Sequence, residues 1–574
     1  MIFRPEVQAF INAQNLIYPL IKRGVKHFVV SPGFRNSPLL LSLIALKNKN
    51  EGNDIFIHNH IDERGAAFFA LGLSKSHKVP AAVICTSGTA LANYHPAVLE
   101  AYYSQTPLIV ISADRPKELI GVGANQAMIQ KDFFGKQIRM HQHIEAETDQ
   151  SKIAQASLVA FAQATFPVPG PVHLNIAFRE PFFVSLEEAN SIKLPQIVLQ
   201  PISPPTLKAL EFDRLAAVFN KAKTPILSLG PERLSKNAIN LLKDLSEKLH
   251  APLFVEKSSG ASFHLSSEKL ITQFDCFLRN KNTRLEFKPD CVLRIGAPLT
   301  SKWWNTWLDE NNTHEFILDH IGETRNPGNH PASFIGLHLD SQLEEGLSKF
   351  LNLCQQSSSN EWKKKLHTLE EQSRLELTEY LQSVSTFTEW HLHQELSKLL
   401  PYKAQLFLGN SMAIRDFDAA STNNQNELNL FTNRGLSGID GLIATSLGVA
   451  HKSSTHTFLL LGDLSALHDL NSLQLVRNLK IPFTVMVINN QGGEIFRLIK
   501  TAEEKAESHY FTAPQETNFK AIAQAFNLSY ESISNTSQMK ECFKQKTLPQ
   551  FIEFFVDPQT NTQTRLNFWK RYQN

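Results

Sequence analysis

The sequence predicts an α/β protein built from three doubly wound parallel-sheet domains. Three observations carry that expectation. Short apolar runs of strand length alternate with helical periodicity along most of the chain. Nearly every such run stops at a polar or glycine-bearing loop, and in an open parallel sheet that edge is where ligands bind. Two stretches interrupt the alternation: LPQIVLQPISPP, with four prolines, inside 186–205, and QQSSSN at 355–360. They divide the chain into expected domains at 1–185, 206–350 and 361–574.

The elements follow in order. Residues 12–22 read as an amphipathic helix with Leu16, Ile17 and Leu20 inward. A strand at 26–30 ends in Ser31-Pro32-Gly33-Phe34-Arg35-Asn36. A second strand, 55–58, leads through His60-Ile61-Asp62-Glu63-Arg64-Gly65 to an alanine-rich helix at 66–74. Strand 81–85 runs into Thr86-Ser87-Gly88-Thr89 and a helix at 90–103, and strand 108–112 into Ala113-Asp114-Arg115-Pro116. In the middle region, strand 225–229 ends at Gly230-Pro231, 252–255 in a Ser-Ser-Gly loop, and 291–295 at Gly296-Ala297-Pro298. The third domain opens with a charged helix from 361. No short tandem repeat is present, so any repeat lies at the level of whole domains.

Composition excludes several classes. The 574 residues are 42% hydrophobic and 20% charged, as in ordinary soluble globular proteins. A net charge of +2 argues neither for nor against nucleic acid, and no nucleic-acid partner is expected. Cys85, Cys276, Cys291, Cys354 and Cys542 form no CxxC pair, which fits a reducing compartment without structural zinc. No apolar run is long enough to span a membrane, and MIFRPEVQAF lacks the apolar core of a signal peptide. A cytoplasmic location is expected.

The stretch at 459–497 carries the strongest chemical signal. Apolar runs at 457–461 and 483–488 read as strands, ending at Gly462-Asp463 and at Asn489-Asn490-Gln491-Gly492-Gly493. Between them a helical stretch places Leu467, Leu470, Leu473, Val476 and Leu479 on one face. One crossover therefore puts Asp463 and Asn490 at the same sheet edge. A carboxylate, an amide oxygen and the Gly492 carbonyl are hard donors that suit Mg2+, with Mn2+ as an alternative, shared with phosphate oxygens. Gly462 and Gly492 let the backbone approach a diphosphate. An ordinary βαβ unit with an Asp cap and an Asn-Gly turn is the competing reading. The pattern resembles the thiamine-diphosphate motif of Gly-Asp-x, about twenty-five residues, then Asn-Asn. The usual third Gly is Leu464 here.

Other patterns carry less. His58 and His60 alternate on a strand, but no third ligand follows in sequence, and packing is the expectation. Gly121-Val122-Gly123 lacks the third Gly of a dinucleotide fingerprint, and neither a GxSxG elbow nor a Walker A sequence occurs. Trp303, Trp304 and Trp307 are expected to pack a helix.

Seven blocks make the resemblance specific: HIDERGAAFFALGLSKS, TSGTALANYHPAVLEA, ISADRPKELIGVGANQAMIQ, LGNSMAIRDFD, NRGLSGIDGLIATSLGVA, GDLSALHDLNSL and NNQGGEIF. Together they resemble the 2-succinyl-5-enolpyruvyl-6-hydroxy-3-cyclohexene-1-carboxylate synthases of menaquinone biosynthesis, which are thiamine-diphosphate (ThDP) enzymes. The match covers the first 135 residues and roughly 400–515; the middle domain matches mainly in Gly296-Ala297-Pro298-Leu299-Thr300-Ser301-Lys302.

The resemblance implies three ThDP-enzyme-type domains, ThDP and Mg2+ as cofactors, and a homodimer or dimer of dimers. It implies a transferase that decarboxylates 2-oxoglutarate and adds the succinyl carbanion equivalent to isochorismate, the enolpyruvyl group being retained. Glu63 would be the catalytic carboxyl. It would hydrogen-bond the cofactor's pyrimidine and favour the tautomer whose N4′ takes the C2 proton, and burial would keep it able to donate. In the resembled family this Glu meets the diphosphate site of the other subunit. Ser87, Gly462, Asp463, Leu464, Ser465, Asn490 and Gly492, with Ile439, Ile495 and Phe496 as apolar wall, would complete the cofactor site. Asp463, Asn490 and Gly492 would hold the metal. Arg35, Arg115, Asn125, Gln126, Lys302, Ser411, Arg415 and Arg434 would face the two dicarboxylate substrates, for which an Arg fork is well matched. Arg64 is expected to be structural.

One departure stands out. The family commonly has Ser-Pro-Gly-Ser-Arg, and here Phe34 precedes the Arg. Either a neighbour such as Asn36 replaces the missing hydroxyl, or the isochorismate pocket differs. Two rival readings remain: another ThDP-dependent decarboxylase or carboligase of acetohydroxyacid-synthase type, with a flavin-binding middle domain, and a non-catalytic ThDP-fold ligand sensor. The ANQA, GNSMAIR and NRGLSGIDG blocks argue against the first. Intact Glu63, Asp463 and Asn490 argue against the second.

Overall fold

Runs such as AAVIC, LIVISAD and FTVMVIN are apolar or small at nearly every position, which is the pattern of strands covered on both faces. In the computed structural model they are buried along their whole length. The structure describes residues 4–49, 55–202, 206–357, 359–422, 426–451, 453–498 and 505–572. Parts of the two expected linkers, 203–205 and 358, lie outside the described residues.

Among the described residues, seventeen strands form three parallel sheets. The first contains β1 (His27–Val30), β2 (Phe56–Asn59), β3 (Ala81–Cys85), β4 (Leu108–Asp114), β5 (Met140–Ile144) and β6 (Pro171–Ala177), in the order β2-β1-β3-β4-β6-β5. The second contains β7 (Pro225–Leu229), β8 (Leu253–Val255), β9 (Cys291–Ile295), β10 (His314–His320) and β11 (Ala332–Leu337), in the order β11-β10-β9-β7-β8. The third contains β12 (Gln405–Leu408), β13 (Asn429–Thr432), β14 (Thr457–Gly462), β15 (Phe483–Asn489), β16 (Tyr530–Ile533) and β17 (Phe551–Phe555), in the order β13-β12-β14-β15-β17-β16. Counted within each sheet, the first and third have the same strand order. The chain therefore repeats one topology at domain level around a different middle sheet.

Several helices depart from the sequence reading. The first begins at Pro5, not at 12, and proline suits the first turn because its missing N–H has no intrahelical partner there. The expected helix at 90–103 is two, Thr89–Asn93 and His95–Tyr103. Pro96 has no N–H to give to the carbonyl four residues earlier. The single helix expected after Asp463 is three pieces: Asp463–His468, a 3-10 turn at Leu470–Ser472, and Leu473–Leu479. Asp469 causes the break. Its buried carboxylate accepts the Ala444 N–H at 2.9 Å and the Ser472 hydroxyl at 2.7 Å, which fixes the chain in a non-helical path. Leu473 and Val476 are buried, whereas Leu467, Leu470 and Leu479 are only half-buried.

The chain divides into two compact units, one of Met1–Ser203, Asn433–Ser453 and His468–Ile481, the other of Pro204–Thr432, Ser454–Leu467 and Pro482–Asn574. In the first unit the Leu442–Ala450 helix packs on the Glu63–His77 helix. Gly72 and Gly448 permit the crossing: a Cβ on Gly72 would lie 1.9 Å from the Thr445 carbonyl, and one on Gly448 2.2 Å from that of Phe69. In the second unit, Asp418 accepts the N–H groups of Lys257 and Ser258 at 2.7 and 3.3 Å and so ties the second sheet to the third.

Candidate active site

β14 and β15 are paired with Gly462 opposite Ile488, so Asp463 and Asn490 emerge side by side at the carboxyl edge of the third sheet. Asp463 is buried. Its Oδ2 accepts from the Gly492 N–H and from Gln515 Nε2, both at 2.8 Å, and its Oδ1 from the Leu464 N–H at 2.7 Å. Burial raises the carboxyl to about 6, against those hydrogen bonds and with Glu494 adding to the rise. Asn490 is also buried, and its Nδ2 donates to Glu389 Oε1 at 2.8 Å. That contact fixes the amide and leaves Asn490 Oδ1 without a hydrogen-bond partner among the described residues. A buried amide oxygen left bare is costly in a closed core and is what a cation ligand needs before its ion arrives.

The glycines differ in purpose. A Cβ on Gly462 would meet nothing within 4 Å, so there is room beside this backbone. At Gly492, φ is +145° and a Cβ would lie 2.5 Å from the Thr512 carbonyl, so close packing on Thr512 itself demands glycine. The Gly492 carbonyl accepts the Glu494 N–H at 3.0 Å and keeps its second lone pair. Ser465 is buried and Leu464 half-buried next to this edge.

Asn490 belongs to a buried network that sequence reasoning missed. Arg565 donates to Glu389 at 2.7 Å and to Asp416; Trp390 Nε1 donates to Asp416 at 2.8 Å; Asn561 Nδ2 donates to Glu389 Oε1 at 2.7 Å. Burial pushes Glu389 up against the pull of Arg565, with Asp416 as a like charge beside it. Burial also opposes ionisation of Asp416, but the Arg565 guanidinium holds it low. These residues come from helices far apart in sequence, and no local spacing marks them.

In the same unit a cavity of about 310 Å³ is lined by Lys302, Arg415, Arg279, Trp303, Met412 and Ile495, among others. Lys302 opens its helix and lies over the Trp303 ring at 4.7 Å. Arg415 is exposed and donates to the Ser411 carbonyl at 2.6 Å. Ser411 has φ +63°, a left-handed conformation at the end of β12 that turns the Met412–Ala420 helix onto this wall. Trp304 and Trp307 are core, as expected, but Trp303 lines the cavity. Phe496 is exposed, beside Phe511 and off the cavity wall.

The first unit holds the remaining candidates. Asp62 caps the Glu63–His77 helix, accepting the N–H groups of Arg64 and Gly65 at 3.0 and 3.4 Å, so the capping role falls to Asp62 and not to Glu63. Glu63 is half-buried within the single chain, less than the expected dry setting. Its charge reaches Cys85 and Tyr94, adding to the burial that raises both. Arg64 donates to the His468 carbonyl at 2.7 Å, a structural contact.

Arg115, buried, donates to Ser87 Oγ and to the Gln126 carbonyl, the latter at 2.7 Å, while Gln130 Oε1 accepts the Gly88 N–H at 2.9 Å. Ser87 is buried, and Asn125 and Gln126 are exposed on their loop. Arg35 is buried and donates to the Phe178 carbonyl at 3.1 Å and to Glu180 at 2.6 Å. Burial lowers it, and the nearby Arg115 charge lowers it further. Two guanidinium groups so placed favour an anion. Phe34 is 59% exposed against Phe182 and Phe183. Asn36 is buried, accepting the Gly33 N–H at 3.0 Å and donating to the Ser31 carbonyl at 2.8 Å. Glu100 accepts the N–H groups of Gly435 and Leu436 at 3.0 and 2.9 Å and shapes the loop that carries half-buried Arg434 and Ile439.

His58 and His60 do not converge. His60 turns inward against Gly65 and accepts the Asp62 N–H at 3.2 Å, whereas His58 meets His27.

Three parallel sheets, two of one topology, with an acidic and amide edge on the third, define a thiamine pyrophosphate enzyme. Family profiles agree. The N-terminal thiamine-pyrophosphate-binding domain matches residues 11–151, the middle domain of thiamine pyrophosphate enzymes 227–408, and the C-terminal binding domain 417–554. Benzoylformate decarboxylase from Polynucleobacter necessarius has the same fold, with a TM-score of 0.72 at 14% identity over 95% of this chain and 98% of that one. Within the class, the chain belongs to the 2-succinyl-5-enolpyruvyl-6-hydroxy-3-cyclohexene-1-carboxylate synthase family. Proteins of that name from Lysinibacillus sphaericus, Chlorobium phaeobacteroides and Shewanella oneidensis are 31%, 34% and 33% identical to it. The matches cover 97%, 92% and 92% of this chain and 96%, 91% and 91% of theirs. Among the described residues, no helix is long and apolar enough to cross a membrane.

Proposed function

We propose that the chain is a ThDP- and Mg2+-dependent transferase that decarboxylates 2-oxoglutarate. It adds the succinyl unit to isochorismate to give 2-succinyl-5-enolpyruvyl-6-hydroxy-3-cyclohexene-1-carboxylate in menaquinone biosynthesis. Family membership supports the reaction. The observation that carries the cofactor reading is the buried, unpartnered Asn490 Oδ1 beside Asp463 at one sheet edge.

Asp463, Asn490 and the Gly492 carbonyl would hold Mg2+, and Gly462, Leu464 and Ser465 would border the diphosphate. ThDP, when bound, supplies the electron sink that decarboxylation needs. Glu63 would hold a proton against the pyrimidine ring, with Ser87 nearby and Ile439 and Ile495 as apolar walls. Phe496, exposed and off the cavity, supports that role least.

Carboxylate recognition falls to the basic groups. Arg415 and Lys302, on one wall with Ser411, present two cations to an open cavity. Arg35 and Arg115 would form a second basic group, and Asn125, Gln126 and Arg434 would face substrate as the resemblance implies. Each basic group is suited to a dicarboxylate, as both substrates are. Phe34 replaces a hydroxyl there with an apolar face. The three functional domains would span 1–185, 206–350 and 361–574. The protein would act in the cytoplasm as a homodimer or dimer of dimers; free, buried cysteines suit that compartment.

The test is direct. The protein is incubated with ThDP, Mg2+, 2-oxoglutarate and isochorismate, and both substrates are followed. Consumption of the two in equal amounts, dependent on ThDP and metal, is expected. Turnover of 2-oxoglutarate without loss of isochorismate would reject the second substrate, and turnover of neither would reject the reading.

A further inference from the structure

Three imidazoles that the cofactor site does not use meet at the edge of the first sheet. His27 opens β1, His58 lies on β2, and His451 follows the Leu442–Ala450 helix. β1 and β2 are parallel with His27 opposite Phe56, so His58, two residues further along β2, projects from the same face as His27. His27 Nδ1 and His58 Nε2 lie 3.1 Å apart. The His451 ring stands edge-on to both, with centroids 5.3 and 4.7 Å away. Ligand nitrogens of all three fall within 4.8 Å of one another.

That geometry fits a coordination sphere. Tetrahedral zinc with imidazole at 2.0–2.1 Å places its nitrogens about 3.3 Å apart. The His27–His58 pair is already near that spacing, and a ligand nitrogen of His451 lies within 4.8 Å of theirs. The surroundings are those of a held site: His77 stacks on His27 at 4.9 Å, and Phe56 and Phe69 pack around the group. Imidazole donors favour Zn2+, Co2+, Ni2+ or Cu2+, whereas Mg2+ takes oxygen, so the chemistry differs from that of the Asp463 edge.

We propose that His27, His58 and His451 form a three-histidine site for a divalent transition metal of the Zn2+ class, with water or a small anion as fourth ligand. The bound ion fastens the end of the Leu442–Ala450 helix to the first sheet. That helix packs on the one that begins at Glu63, so the ion would brace the wall behind the candidate catalytic carboxyl.

The experiment uses the full chain, passed over a chelating resin and resupplied with Mg2+ and ThDP, then titrated with Co2+. One equivalent is expected to bind with visible ligand-field absorption of a tetrahedral site, to be displaced by Zn2+, and to raise the thermal midpoint. His58→Gln and His451→Gln should each weaken Co2+ binding by more than the roughly 10–100-fold that loss of an outer-shell partner costs. Both should bind ThDP like the parent, which shows that they fold. Absence of one-equivalent Co2+ binding in the parent overturns the site, whatever the variants do. Equal binding by the parent and the double variant overturns it as well.

Discussion

Asn490 donates its amide Nδ2 to Glu389 Oε1 at 2.8 Å, and this one bond decides which end of the amide faces the sheet edge. Glu389 is in turn held by Arg565 and Asn561. A residue far from Asn490 in sequence thus aims the oxygen that the metal reading requires.

Glu389→Ala should therefore weaken ThDP binding at fixed Mg2+ by roughly 10–100-fold, the usual effect of losing a partner that orients a ligand. Glu389→Gln keeps an oxygen that can accept from Asn490 and should retain most of the affinity. Calorimetric titration of ThDP checks both. Parent-like affinity in Glu389→Ala would remove the orienting role.

Arg415 should matter to turnover. It lines the cavity with Lys302 and donates to the Ser411 carbonyl at 2.6 Å. Loss of a charged hydrogen bond to a carboxylate costs about 1.5–3 kcal/mol, so Arg415→Ala should lower kcat/KM for a substrate correspondingly. Lys should not restore it fully, because it lacks the planar fork. Unchanged kinetics with both 2-oxoglutarate and isochorismate in Arg415→Ala would sink the assignment.

Strand positions were legible because buried parallel strands need apolar runs ended by polar loops; β3, β7 and β9 have the expected bounds. Asp463 and Asn490 were legible for the same reason, since a strand end plus one crossover fixes both. The Asp469 break was not, because a helix-compatible spacing of Leu470, Leu473 and Val476 continues through it and only the tertiary contact to Ala444 reveals it. The Glu389–Arg565 network and the His27–His58–His451 group were invisible because their members are brought together by sheet order and helix docking, not by spacing.

Asp469 gives a pH signature. Burial raises its carboxyl to about 6, opposed by hydrogen bonds from Ala444 and Ser472 and by the Arg64 charge. An unfolded Asp titrates near 4, so between about pH 4 and 6 the folded chain holds more protons and stability falls as pH rises. Above about 6 the loss is complete. Asp469→Asn removes that titration while its oxygen can still accept from Ala444 and its amide can donate to Ser472. The variant should gain up to about 2–3 kcal/mol relative to the parent above pH 6, and less as pH falls toward 4. Thermal midpoints of both proteins across this range provide the check. A parent-minus-variant difference that does not change with pH would remove Asp469 as the source.

Glu63 and Asp463 pose the last question, whether one chain supplies both to a site. Glu63 is only half-buried within the chain, and a carboxyl that must hold a proton needs a drier setting. A second subunit covering Glu63 would provide it, as the family resemblance implies. Glu63→Gln alone should be inactive, because an amide does not drive the cofactor's tautomer. Asp463→Ala alone should be inactive, because the metal and diphosphate lose their anchor. In a mixed dimer with shared sites, one site carries both defects and the other carries neither. Random exchange in a symmetric dimer then leaves about a quarter of all sites intact. If both residues of a site come from one chain, every site keeps a defect. The two variants are co-expressed with different tags, the mixed dimer is purified, and 2-oxoglutarate consumption is measured. Recovered activity is the expected result; a mixed dimer as inactive as its parents would place Glu63 and Asp463 of each site on a single chain.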